Sequence, residues 1–232
     1  MSGFLMKNHI VQLLALIVLG LLPLGPQAPC AKAEDQRSQT IASTRIAAGT
    51  AATAEGKPAF VFGDVNYFHR WSQNDQHEFT PEGQRDLEKW SDMITMNLYP
   101  STHDGDALAA KANAVLENYK THGARVLRTN SIPRMPDRPA EHFIAVVFGR
   151  SNFIEVAFAR FKLMEGVGCS VVYSHRIYGA KVSDQMSAWL RDNGGKFENM
   201  LMGWKNIPSP ASLREMSRKQ ARIGVGASFA AK

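Results

Sequence analysis

Cysteine is almost absent from this chain. Two occur in 232 residues, Cys30 and Cys169. If the N-terminal segment is removed, only Cys169 stays and no intramolecular disulfide can form. The usual chemical motifs are missing as well. There is no G-x-S-x-G and no S-x-x-K, which removes two common serine-nucleophile signatures. "GVG" at 166–168 and "GGK" at 194–196 lack the Gly-Lys-Ser/Thr ending of a phosphate loop. No H-x-H, H-x-x-x-H or carboxylate cluster accompanies His175, so no metal site is expected, and no cofactor either. Beyond one N-terminal run, no apolar stretch approaches the roughly 20 residues of a spanning helix.

That run is informative. Lys7 and His9 precede the apolar residues 10–25, and Ala31-Lys32-Ala33 follows as an A-x-A cleavage site. This is the three-part pattern of a secretory signal peptide. Pro23 and Pro26 interrupt its end, and Pro29 before Cys30 argues against a lipid anchor. Cleavage after Ala33 leaves 199 residues with 25 basic and 21 acidic side chains, a net charge of +4 against +6 for the whole chain. So mild a balance does not call for nucleic acid as a partner. A chain of this size buries a core without staples. The expected protein is exported, periplasmic or secreted, and not inserted in a membrane once cleaved.

Residues 34–57 are rich in Ala, Thr, Ser and Gly and lack aromatics, which predicts a disordered leader. Residues 209–232 carry Arg214, Arg218, Lys219 and Arg222, which could share a short helix, and read as a loosely attached basic tail. Between them, 58–208 has the size of one domain. "YFHRWS" and "QHEFT" flank Asn74-Asp75 and predict a hairpin. Thr80-Pro81 reads as the start of a short helix carrying Leu87 and Trp90. "MITMNLY" alternates as a strand. "STHDGD", Ser101 to Asp106, lacks the ligand spacing of a cation loop and reads as a helix cap. Asp104 caps a helix whose Leu108, Ala112, Val115 and Tyr119 share a face, with Gly123 at its C-terminal cap. "ARVLRTNSI" is a strand, and Pro133, Pro136 and Pro139 mark a loop. Three more strands follow, then a helix from Ser183 or Asp184 that Gly194-Gly195 would break. The fold class is α+β, an antiparallel β-sheet covered by helices in an α/β/α-like sandwich.

The turns suggest a register. With Gly149 facing Asn152 and Lys162 facing Cys169, Glu141 opposes Arg160 and Glu155 opposes Arg176. Phe143, Ala145, Val156, Phe158, Val171, Tyr173 and His175 then share one face; Ile144, Val146, Ala157, Ala159 and Val172 share the other. Cys169 and His175, six residues apart on one strand, are roughly 20 Å apart, too far for a catalytic dyad. Cys169 reads as a buried hydrophobe. In the hairpin, His69 opposes Thr80 and His77 opposes Ser72, which separates the two histidines on an exposed edge.

No catalytic residue emerges. The ligand-binding candidates are His175 and Tyr173, as polar groups on an apolar sheet face, and Arg134 and Arg138 in the proline loop. A cavity at His175 with a carboxylate or serine in reach would mark an enzyme built on His175 and Tyr173. A closed core there would mark a binding or assembly module, whose partner would be a protein or small molecule.

"HEFTPEGQRDLEKWSDMITM", residues 77–96, resembles a segment of small secreted bacterial proteins of unknown function, through Glu78, Phe79, Pro81, Gly83, Leu87, Trp90, Met93, Ile94 and Thr95. The element order, with Phe197, Leu201 and Trp204 ending the last helix of the domain, resembles the PsbP/Mog1-like fold. That resemblance implies a binding or assembly module and carries over no catalytic residue.

Overall fold

The computed structural model describes residues 56–229. The expected signal segment and all but the last two residues of the expected leader lie outside them. The described residues form eight strands and three helices in the order β1 (Phe60–Phe62), β2 (Val65–Gln73), β3 (Gln76–Pro81), β4 (Asp92–Tyr99), α1 (Gly105–Thr121), β5 (Arg125–Ile132), β6 (Glu141–Gly149), β7 (Phe153–Met164), β8 (Val167–Tyr178), α2 (Val182–Gly203) and α3 (Pro210–Phe229). One sheet contains every strand, in the order β1-β2-β3-β4-β8-β7-β6-β5. All neighbours are antiparallel. Two four-stranded meanders, β1–β4 and β5–β8, therefore meet where β4 pairs with β8. The α+β class is as the sequence indicated.

Tight turns fix the hairpins. Asn74 and Asp75 both have positive φ, as do Glu165 and Gly166, which is the two-residue turn that matches strand twist. Lys162 therefore faces Cys169 and Glu155 faces Arg176, as expected. The β6–β7 turn differs. Gly149 pairs with Ile154 and not Asn152, so Arg160 faces Phe143. The loop is two residues longer than the expected turn, with the Arg150 N–H on the Phe153 carbonyl at 2.9 Å. A two-residue slip keeps every side chain on its expected face. It also leaves Glu141 diagonal to Arg160, and the pair still forms.

Asp104 caps α1, its Oδ1 accepting from the Ala107 N–H at 2.8 Å. Leu108, Ala112, Val115 and Tyr119 are all buried against Ile144, Val146, Ala157, Ala159 and Val172. Gly123, at φ +79°, takes the left-handed position after the helix. α2 and α3 cover the opposite face, over Phe79, Ile94, Met96, Phe143, Val156, Phe158, Val171 and Tyr173. The sheet is covered on both sides, which is why β7 and β8 are buried along most of their length.

Several expectations are corrected. α2 runs unbroken through Gly194 and Gly195; its buried Met186 and Leu201 secure both halves to the sheet. Residues 210–229, expected as a short helix in a loose tail, form the 20-residue α3, held to the core by the fully buried Leu213. Residues 82–91 are turns, not a helix. Pro81 ends β3 where pairing with β4 has already stopped at Phe79–Ile94, so its missing N–H costs nothing on that side. The Gln84 side chain then accepts from the N–H groups of Ser91 and Asp92 and steers the chain into β4.

The hairpin holds a bulge between His69 and Trp71. His69 consequently faces Phe79, not Thr80, and turns onto the face of Ser72 and His77. The two rings lie 6.4 Å apart between centroids, and β2 and β3 are interior strands. The expectation of two separated histidines on an exposed edge is wrong, because one bulged residue inverts the side-chain alternation upstream of it.

Arg160 joins sheet to helix. Its guanidinium makes a two-bond pair with Glu141 (2.7 and 3.1 Å) and donates to the carbonyls of Leu201 and Trp204 (2.9 and 3.0 Å) at the end of α2. Both side chains are buried. The orphan carbonyls that every helix leaves at its C-terminus are met here by a strand residue.

Candidate functional site

Asp92 opens β4 directly opposite His175 of β8. Along β4 the side chains of Asp92, Ile94, Met96 and Leu98 alternate onto the α2 face, so a carboxylate stands at the end of an apolar row. Asp92 Oδ1 accepts from the Tyr173 hydroxyl at 2.6 Å and lies 3.0 Å from His175 Nδ1. Burial, with the Asp92 carboxylate beside it, pushes the Tyr173 phenol up, so it stays protonated and donates. Tyr67 is pushed up by the same two causes.

Aromatic side chains of α2 hold these groups in place. Tyr173 stacks on Phe197 at 4.3 Å and His175 on Trp189 at 4.3 Å, both nearly parallel. Beside them is a cavity of about 210 Å³, walled by Phe62, Tyr67, Tyr173 and Phe197, with Asp64, Asp92 and Lys196 as its charged residues. His175 does not line it.

The structure thus brings Tyr173 and His175 together through Asp92. It leaves Arg134 and Arg138 elsewhere. Both are exposed in the β5–β6 loop, where Met135 and Arg138 exchange backbone hydrogen bonds. β5 is the sheet edge opposite β1, so those arginines do not share a site with Tyr173. Cys169 is fully buried opposite Leu98 and Lys162. Burial pushes its thiol up to about 12, against what a nucleophile requires.

The sequence reading missed Asp92. Its signal was present, an acid in phase with Ile94, Met96 and Leu98, but its meaning depended on pairing between strands some eighty residues apart. It also missed a hydrogen-bonded chain on the same sheet face. His69 Nε2 lies 2.6 Å from Ser72 Oγ, which lies 2.8 Å from His77 Nδ1. Burial lowers both imidazoles, His77 to about 4. Both rings are therefore neutral at pH 7. Nothing in the local sequence announces the bulge that assembles this chain.

Among the described residues, no group of three or more His, Cys, Asp or Glu could hold a metal ion. No described helix is long and apolar enough to cross a membrane. No family model matches the chain, and no curated protein matches it. Among solved structures it is similar to PA94 from Pseudomonas aeruginosa, a protein of unknown function, at TM-score 0.37 and 13% identity over 60% of this chain and 88% of that one. It is also similar to the Saccharomyces cerevisiae Ran-binding protein Mog1p, at TM-score 0.37 and 10% identity over 59% of this chain and 81% of that one. Human STARD10 matches at TM-score 0.25 and 7% identity, over 67% and 76%. The similarity to Mog1p is the weak, fold-level resemblance that the order of elements suggested.

Proposed function

We propose that the protein is an exported binding module that takes a small organic amine in the cavity beside Tyr173 and Asp92. The observation that carries the reading is the pairing of aromatic walls with acid in that cavity. Asp64 and Asp92 outnumber Lys196 among its charged residues, and rings of Phe62, Tyr67, Tyr173 and Phe197 favour a cation. A volume of about 210 Å³ is below the roughly 300–1,000 Å³ of drug-sized pockets and limits the ligand to metabolite size. Export rests on the Ala31-Lys32-Ala33 site after the apolar run, and N-terminal sequencing of protein from an exported fraction tests it, with Glu34 expected first.

The binding test uses a panel of small amines and their N-acetyl counterparts. An amine should raise the melting temperature where its neutral counterpart does not, and Asp92→Asn should abolish the shift. Equal shifts from both members of every pair would refute the reading. A second reading is favoured by one distance. His175 Nδ1 at 3.0 Å from Asp92 has the geometry of a base and its orienting acid. The location of His175 outside the cavity wall weighs for binding. Turnover of a bound amine, lost in His175→Gln with binding retained, would instead establish the enzyme.

A further inference from the structure

A second and larger cavity, of about 550 Å³, lies between β2 and α3. Its size falls within the usual range for a small-molecule pocket. Its charged lining is of one sign. Lys57, Arg70 and Lys219 contribute to the wall, and no Asp or Glu does. Ala59 and Met216 supply apolar surface.

The polar groups differ in how firmly they are held. His69, also in the wall, is bonded to Ser72 and kept neutral by burial. Arg70 donates to Thr80 Oγ1 at 2.7 Å and to the Pro81 carbonyl at 2.8 Å, which fixes its charge in place. Lys219 reaches Glu215 at 2.8 Å, in an exposed pair one helical turn apart. Water screens such a pair, so it yields readily to a competing anion. Lys57 is exposed at the start of the described chain. Gln220 lies in the wall with its buried Oε1 unpartnered.

We propose that this cavity is a binding site for a small amphiphile with a carboxylate head, the head held by Lys57 and Lys219 and the apolar body laid over Ala59 and Met216. Arg70 adds a fixed positive field, and the neutral His69 ring adds surface without competing charge. The bulge in β2 is what turns that ring into the wall. This site does not depend on the amine cavity, which involves other residues of the same sheet face.

The test is calorimetric titration of the full chain with sodium octanoate, below its micellar concentration, with octylamine and octanol as chain-matched controls. Octanoate should bind at least tenfold more tightly than either control. The double substitution Lys57→Gln with Lys219→Gln should weaken it at least tenfold at unchanged melting temperature, since both side chains are exposed. Asp92→Asn should leave octanoate binding unaltered, which separates this proposal from the first. Octylamine binding as well as octanoate, no measurable octanoate binding, or full binding by the double variant would each overturn it.

Discussion

Glu78 and His77 are neighbours in β3 that point to opposite faces of the sheet, and both are buried. Burial is the main cause of each shift. Glu78 is raised from 4.5 to about 7; Gln76 and Arg176 oppose the rise and Glu155 adds to it. His77 is lowered from 6.5 to about 4, with His69 as the second cause. Each shift spans about 2.5 pH units, or about 3 kcal/mol at about 1.4 kcal/mol per unit. The signs are opposite. The contribution of Glu78 to stability is complete below pH 4.5 and is lost as pH rises through 7. That of His77 is complete above pH 6.5 and is lost as pH falls through 4. Between pH 4.5 and 6.5 the two slopes cancel, and the wild-type protein shows no pH dependence from this pair. Glu78→Gln removes one slope and keeps the acceptor for the Gln76 amide, which lies 3.0 Å from Oε1. Its stability relative to wild type should improve by about 3 kcal/mol between pH 4.5 and 7. His77→Asn keeps a group able to bond Ser72 and should change in the opposite sense. The assay is urea unfolding followed by tryptophan fluorescence at half-unit steps from pH 4 to 8.5. A difference between Glu78→Gln and wild type that is constant across pH 4.5–7 would refute the account of a buried carboxylate titrating near neutrality.

Three other outcomes are expected. Cys169 should not react with an aromatic disulfide reagent until the protein unfolds, and Cys169→Ala should cost about 1 kcal/mol with ligand binding intact; rapid labelling of native protein would contradict its burial. Gly168→Ala would place a Cβ 2.6 Å from Thr102 Cγ2, and should cost about 1–3 kcal/mol in equilibrium unfolding, because the Thr102 carbonyl also holds the Gly168 N–H at 2.7 Å. Lys181 precedes α2 at φ +59° and makes no side-chain cap bond. Lys181→Gly should therefore raise stability by about 0.5–1 kcal/mol, and a lower melting temperature would count against strain there.

Most of the sheet could be read from local signals. Asp104, the Leu108–Tyr119 stripe and Gly123 defined α1 without any tertiary information. Asn74-Asp75 and Glu165-Gly166 fixed two hairpins because positive-φ turns leave little choice of register. The candidate site was only half legible. Tyr173 and His175 could be assigned to one face from period-two alternation. Asp92 gained its meaning only when β4 docked on β8, and no spacing rule links positions 92 and 175. The bulge at Arg70 was hidden because an extra residue leaves an ordinary-looking strand pattern. Thr80-Pro81 misled because an N-cap pair and a strand end carry the same letters; termination of the β3–β4 ladder decided between them. α3 is disguised by its charged residues, since Leu213, which anchors it in the core, stands among them without an obvious apolar stripe.

The contact of Arg160 with the end of α2 bears on how the molecule opens. The Leu201 and Trp204 carbonyls receive their hydrogen bonds from a side chain whose position depends on β6 and β7 being paired. The last turn of α2 therefore has no independent closed state. Fraying there exposes the Arg160–Glu141 pair, and separation of β6 from β7 releases the helix end. In amide hydrogen exchange the final turn of α2 should join the slowly exchanging centre of β7 as one cooperative unit, while the Lys181 end opens separately. A helix end of this kind behaves as part of the sheet, and the boundary of the protein's most durable unit crosses α2 instead of following it.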